Sequence, residues 1–240
     1  MQTLAVASFV LVHLFAGRLR FLEGVPRSRW LSFAGGISVA YVFVHVFPEL
    51  AEAQEELGGR GEGGWLDHHA YLVALGGLVA FYALERVVQR ADVSHADALE
   101  TSAADDTRAV FRLHVGMFAL YNALIGYLLV HRVEQDLPGL ALFTIAYALH
   151  FVVNDNGMAR RHRARYRRTG RWLLSAAIVA GWLLGLATGL SEEAVHVLFA
   201  LLAGGTILNV MKEELPEELE SRLAPFVGGA AGYTALMLAL

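Results

Sequence analysis

Apolar residues in this chain come in long blocks, with polar residues gathered in the gaps between them. Blocks of about 17–25 residues are the length that crosses hydrocarbon as a helix. Eight occur, at 4–22, 31–50, 70–88, 110–130, 137–153, 172–190, 194–210 and 223–240. They predict an all-α membrane protein with eight transmembrane helices in a single domain, 1–240. The longest connection, from Gln89 to Thr107, is polar and poor in aromatics, so no separate soluble domain fits beside the helices. The first block lacks the basic start of a signal peptide and is followed by Arg18 and Arg20, which reads as a retained helix rather than a cleaved leader.

Two of the blocks repeat near the end of the chain. Ala34-Gly35-Gly36 opens a run that closes on Phe47-Pro48-Glu49, and Ala203-Gly204-Gly205 opens one that closes on Leu215-Pro216-Glu217. The blocks that follow match without a gap, from Leu75-Gly76-Gly77 to Leu84 against Val227-Gly228-Gly229 to Leu236. Helices one to three and six to eight thus form two related units around a central pair, a 3+2+3 arrangement.

Composition supports the membrane reading. With 56% hydrophobic and 18% charged residues and a mean hydropathy of +0.47, the chain is far more apolar than the roughly 45–50% apolar, about 25% charged soluble norm. The absence of cysteine excludes disulfides, thiolate metal sites and a cysteine nucleophile. The net charge of -4 says less than where the basic residues stand. Of the 19 Lys and Arg, all but Arg60 and Arg132 border the odd-numbered connections, which the positive-inside bias assigns to the cytoplasm. Both termini then face outward, and helices two and seven run in opposite directions, so the repeat is inverted. The run Arg160-Arg161-His162-Arg163-Ala164-Arg165 sits at a helix end and reads as an anchor for anionic headgroups rather than a nucleic-acid site. The high Arg to Lys ratio and compact loops are compatible with a bacterial inner membrane.

The central helices carry the candidate chemistry. On helix four, His114, Tyr121 and Ile125 share a face, with Asn122 beside it; on helix five His150 and Asn154 share a face, with Asp155 one position on. His13, His45, His114 and His196 lie in or near apolar runs, where an ionisable residue is a functional suspect, although a bond from each neutral ring to a neighbouring carbonyl accounts for it. His45 and Glu49, spaced i, i+4 at the outer end of helix two, read either as the place where a cation comes in or as a polar helix-end pair. His68-His69 beside Asp67 reads as a metal-gathering or simply solvated loop, and Glu213, Glu214, Glu217, Glu218 and Glu220 as an ion-receiving or solvated helical face. No helix holds a convincing pair of histidines for haem. Ser38, Thr144 and Ser175 have no nearby base in sequence, which argues against an intramembrane hydrolase and leaves no enzymatic activity and no prosthetic group expected.

The order and position of these motifs resemble the ZIP (Zrt/Irt-like) divalent metal transporters. The second helix resembles theirs through its Ala-Gly opening and His45-Val46-Phe47-Pro48-Glu49, the seventh through Ala203-Gly204-Gly205 and Leu215-Pro216-Glu217, and the third through its Gly-rich start and Leu84-Glu85-Arg86. The resemblance covers essentially the whole chain and implies movement of a zinc-like divalent metal toward the cytoplasm. It matches the family's His-Asn-x-x-Asp/Glu-Gly on helix four to Tyr121-Asn122-Ala123-Leu124-Ile125-Gly126, and its His-Glu-x-Pro-Glu on helix five to His150-Phe151-Val152-Val153-Asn154. One histidine and the carboxylates at these matching positions are missing, and helix six has no acidic residue.

A dication in low dielectric needs donors and compensating negative charge. The expected metal set is therefore reduced to His150, Asn154 and Asn122, with Tyr121 and Asp155 as additions and His45 with Glu49 at the outer end. Three readings stay open: a divergent metal transporter, a carrier of another ion or solute, and a non-transporting regulator or scaffold. The expected partners are the lipid bilayer, the metal ion as substrate, and a second copy in a homodimer, with no nucleic acid.

Overall fold

The computed structural model describes residues 1–19, 29–58, 70–97, 103–131, 137–213 and 222–239. Among them there are helices and no strands. They are α1 (Gln2–Phe15), α2 (Arg29–Tyr41), α3 (Phe47–Gly58), α4 (Ala70–Asp97), α5 (Ala103–His131), α6 (Leu137–Arg165), α7 (Arg171–Ala187), α8 (Glu192–Glu213) and α9 (Leu223–Ala239). Six helical stretches are long and apolar enough to cross a membrane: Arg29–Leu57, Ala70–Arg90, Arg108–His131, Leu137–His162, Tyr166–Ala187 and Glu192–Lys212. The first and last helices, Gln2–Arg18 and Leu223–Ala239, are apolar but shorter.

Local chemistry explains several boundaries. α2 passes into α3 through a π-helical turn, Val42–Val46. Pro48 has no N–H for the Val44 carbonyl and its ring crowds that carbonyl, and a widened turn relieves both. α8 starts at Ser191, whose hydroxyl accepts the Ala194 N–H at 3.3 Å, with Glu192 and Glu193 favourably placed in the first turn. The N–H of Ala70 at the start of α4 is held by Gln54 of α3 at 3.0 Å. The helices also outrun the apolar blocks. α4 and α5 extend through much of the polar connection from Gln89 to Thr107, and α6 carries the arginine run to Arg165 in helical form, because Ala, Arg, Glu and Gln favour helix whether or not lipid surrounds them.

Successive helices, with α2 and α3 counted as one, alternate in direction. Gln2 meets the Leu129 carbonyl, Gln54 meets Ala70 and His196 meets Glu56 at one end. At the other, Ser32 meets Arg222, Glu85 meets Arg161 and Lys212, and Arg171 meets the Leu14 carbonyl. The second end is the basic end. α6 turns back into α7 through the π-helical segment Tyr166–Gly170: His114 and Tyr121 of α5 meet His162 and His150 of α6 in antiparallel order, whereas Gly126 and Tyr127 meet Ile178 and Gly185 of α7 in parallel order.

The most closely packed pairs are α2 with α9, α4 with α8, and α5 with α7. Each is seated by reciprocal glycines. A Cβ on Gly36 would lie 2.0 Å from the Phe226 carbonyl oxygen, and one on Gly229 would lie 2.1 Å from that of Phe33. Gly77 and Gly204 do the same against Leu201 and Ala74, at 2.1 and 1.7 Å, and Gly126 and Gly181 against Ile178 and Ala123, at 2.3 and 1.9 Å. Such contact requires bare backbone on both helices. Gly204, one position before the partner that the Ala-Gly-Gly match gives Gly36, makes the seat; Gly205 instead faces the ring of Phe81. Large apolar residues such as Leu4, Trp30, Tyr71, Leu120, Trp172 and Leu238 are exposed around the outside. Among the described residues, buried polar side chains gather around His13 and around His150, with His114 and His196 buried elsewhere.

Candidate functional site

Tyr121, His150 and Asn154 come together at the centre of the bundle, where α5, α6 and α8 meet. The Asn154 amide nitrogen lies 2.9 Å from His150 Nε2, and the Tyr121 hydroxyl is 3.3 Å from the same atom. α8 adds two residues that sequence reasoning missed. Thr206 bonds the Tyr121 hydroxyl at 2.8 Å. Asn209 donates to Asn154 Oδ1 at 2.9 Å and approaches His150 Nε2 at 3.3 Å. With two amide NH2 groups facing it, Nε2 is an acceptor and the imidazole is neutral with its proton on Nδ1. Thr206 and Asn209 are spaced i, i+3 in an apolar helix, a signal that marked them as polar residues sharing one buried face.

Asn122 and Asp155 do not join this cluster. Consecutive residues of a helix point about 100° apart, so Asn122 turns away from Tyr121 and Asp155 away from Asn154, and both meet His13 of α1. His13 Nδ1 is 2.8 Å from Asp155 Oδ2, and Nε2 is 2.8 Å from Asn122 Oδ1. Asn122 gives its amide hydrogen to the Phe118 carbonyl at 2.8 Å, which leaves an acceptor facing His13, so Nε2 carries a proton. The proton between Nδ1 and Asp155 makes the pair neutral overall, as imidazolium with carboxylate or imidazole with carboxylic acid. Both side chains are 1% exposed.

The histidines thus differ from the expectation of a bond to a neighbouring carbonyl. Helix carbonyls are already committed to the backbone ladder, and packing brings distant side chains instead. His13 has Asp155 and Asn122. His114 lies 2.9 Å from His162, His196 lies 2.8 Å from Glu56, and His45 lies 2.7 Å from Glu49 at the far end, both partly exposed. His68, His69, Asp67 and Glu214 to Glu220 lie outside the described residues, and of Glu213 only the backbone is described.

Ile125 and Phe151 stand where the family resemblance would put carboxylates. Both are fully buried, and Phe151 packs edge-on against Phe9 at 5.2 Å. Among the described residues, no three His, Asp or Glu side chains converge as a metal site.

Two cavities approach the central cluster. On the basic side, one of about 390 Å³ is lined by Asn154, His114, Phe118, Arg160 and Arg161. On the far side, one of about 20 Å³ lies among Glu49, Tyr41, Tyr147 and Ile125, room for a single water. Tyr147 and Tyr41 line the far-side cavity, their rings edge-on at 5.3 Å between centroids. At the basic end Glu85 is held by Lys212 at 2.5 Å and Arg161 at 3.0 Å. The arrangement can bind and orient a small polar guest through neutral N and O donors. No known protein family matches the chain, and no curated protein matches it.

Proposed function

We propose that the chain is a ZIP-like membrane transporter that carries a zinc-like divalent metal ion toward the basic, cytoplasmic end through a reduced central site. The observation that supports it is the buried Tyr121–His150–Asn154–Thr206–Asn209 cluster, with a cavity of about 390 Å³ on its basic side and a water-sized one opposite. A central polar site with room toward one side and little toward the other fits one state of an alternating-access carrier. His150 Nε2 is the strongest donor. An ion reaching it requires Asn154 and Asn209 to turn their amide oxygens inward, giving one nitrogen and several neutral oxygens. His45 and Glu49 receive the ion at the far end.

Eight crossings in an inverted 3+2+3 order fit the packing. Gly36 on α2 seats against α9 as Gly204 on α8 seats against α4, the exchange that two inverted units produce. The short end helices, at about 1.5 Å per residue, reach about 25 Å and span by local thinning of the bilayer. Both termini then lie outside, in a bacterial inner membrane, with lipid as the immediate partner and a homodimer as the assembly.

A second reading is favoured by the charge. The described partners of His150 include a phenol and two amides, all neutral, and Arg160 and Arg161 border the cavity a cation would leave through. The same fold then carries another solute, or serves as a regulator or scaffold. Flux into proteoliposomes separates the two. Zinc, cadmium, manganese and iron(II) are tested for saturable flux, which the metal reading expects for zinc and expects His150→Ala to abolish. Folded protein with no flux above empty liposomes for all four leaves only the second reading.

A further inference from the structure

Besides the cavities around His150, the basic end holds one that no transport step uses. It has a volume of about 520 Å³ and is walled by Gly17 at the end of α1, Asn156, Ala159 and Arg160 of α6, and Arg167 of the π-helical turn. Its size is that of a small-molecule site. Among the described residues, two guanidinium groups border it and no acidic side chain does. Arg167 is exposed and has no ion-pair partner among the described residues.

A second observation concerns Asn156. Its side chain is more than nine-tenths buried, at 7% exposed, it lines this cavity, and it has no hydrogen-bond partner among the described residues. Buried amides in native proteins are almost always satisfied, so one left open toward a basic cavity marks the place of a guest's polar atom. Gly17 forms the floor, its Cα facing Ala159 and the ring of Tyr166 with only methyl-sized space between.

We propose that this cavity binds a phosphate group, held between the Arg160 and Arg167 guanidinium groups and the amide N–H of Asn156. Guanidinium forks match phosphate oxygens with paired N–H donors. The amide adds a donor from the wall, and its oxygen accepts from a hydroxyl on the group that carries the phosphate. Two sources share this chemistry: the headgroup of an anionic phospholipid, whose acyl chains run down the apolar outer surface of α1, and a free phosphate ester. The site goes beyond the transport reading and stands whether or not His150 carries a metal.

The test uses the full chain in a non-ionic detergent, titrated with short-chain phosphatidylglycerol, short-chain phosphatidylcholine and inorganic phosphate, with binding read by calorimetry. Saturable binding of phosphatidylglycerol but not phosphatidylcholine, weakened about tenfold by Arg167→Gln and by Asn156→Leu, is expected for a headgroup site, each substitution removing one bond. Binding of inorganic phosphate with the same dependence supports the site and assigns it to a free ester. Arg86→Gln, an exposed arginine on α4, leaves either affinity unchanged. Arg160→Gln with Arg167→Gln replaces Asn156→Leu if the latter does not fold. No binding of any ligand, or binding indifferent to these substitutions in folded protein, overturns the proposal.

Discussion

His13 and His150 are both buried, both bonded to asparagine and both within reach of α5 and α6, yet their surroundings are opposite. His13 faces a carboxylate at 2.8 Å in a sealed position. His150 faces two amides, with a phenol beside them, and its neighbour Asn154 opens on a cavity. The acidic group next to the centre is therefore paired in the sealed position, and the cluster that opens on the cavity presents neutral side chains, with Arg160 and Arg161 on the cavity's wall. A buried charge is tolerated when a partner balances it, and Asp155 is balanced by His13 rather than held ready for a cation. The lesson is that residue type alone misassigns the two asparagines and the aspartate; the side of the helix decides.

The largest expected effect breaks the His13–Asp155 pair. Asp155→Asn strands His13 and should cost about 3–5 kcal/mol, the range for removing one partner of a buried pair, read as lost stability to denaturant in detergent. A cost below about 1 kcal/mol would mean the pair is not coupled as its geometry implies. In the neutral cluster, His150→Ala leaves the amides of Asn154 and Asn209 without their acceptor and should cost about 1–3 kcal/mol, less than Asp155→Asn in the same assay. The reverse order would erase the distinction between the clusters. The smallest effect sharpens it instead. Asn209→Asp gives His150 the carboxylate it lacks, and zinc flux should rise about tenfold, the gain expected from one charged ligand bond; unchanged flux would argue that charge is not what limits the central site.

Much of the frame was legible in the sequence. Among the described residues the eight apolar blocks fall largely on helices, six of them long enough to cross a membrane, because an apolar surrounding writes a long uninterrupted signal, and the glycine motifs fall on the closest helix pairs. Their register was off by one at Gly204, since a Gly-Gly pair does not say which glycine faces the partner. The boundaries of α4, α5 and α6 were missed because helix propensity continues past the apolar block. At the site, Tyr121, His150 and Asn154 were found from helical spacing within single helices. His13 was not tied to Asp155, 142 positions away, nor Thr206 and Asn209 to His150, because spacing within one helix carries no information about which other helix it meets.

The reciprocal glycine seats bear on mechanics. Where backbone rests on backbone, with oxygens about 2 Å from where a Cβ would stand, there are no side chains to rotate out of the way, and sliding one helix along its partner meets a wall at the next residue. The three pairs α2 with α9, α4 with α8, and α5 with α7 therefore behave as stiff two-helix beams. α1 and α6, joined by His13 and Asp155, stand outside these beams. The least costly rearrangement of such a body would shift beams against one another and against α6, and the walls of the central cluster, contributed by α5, α6 and α8, lie on three separate parts of it.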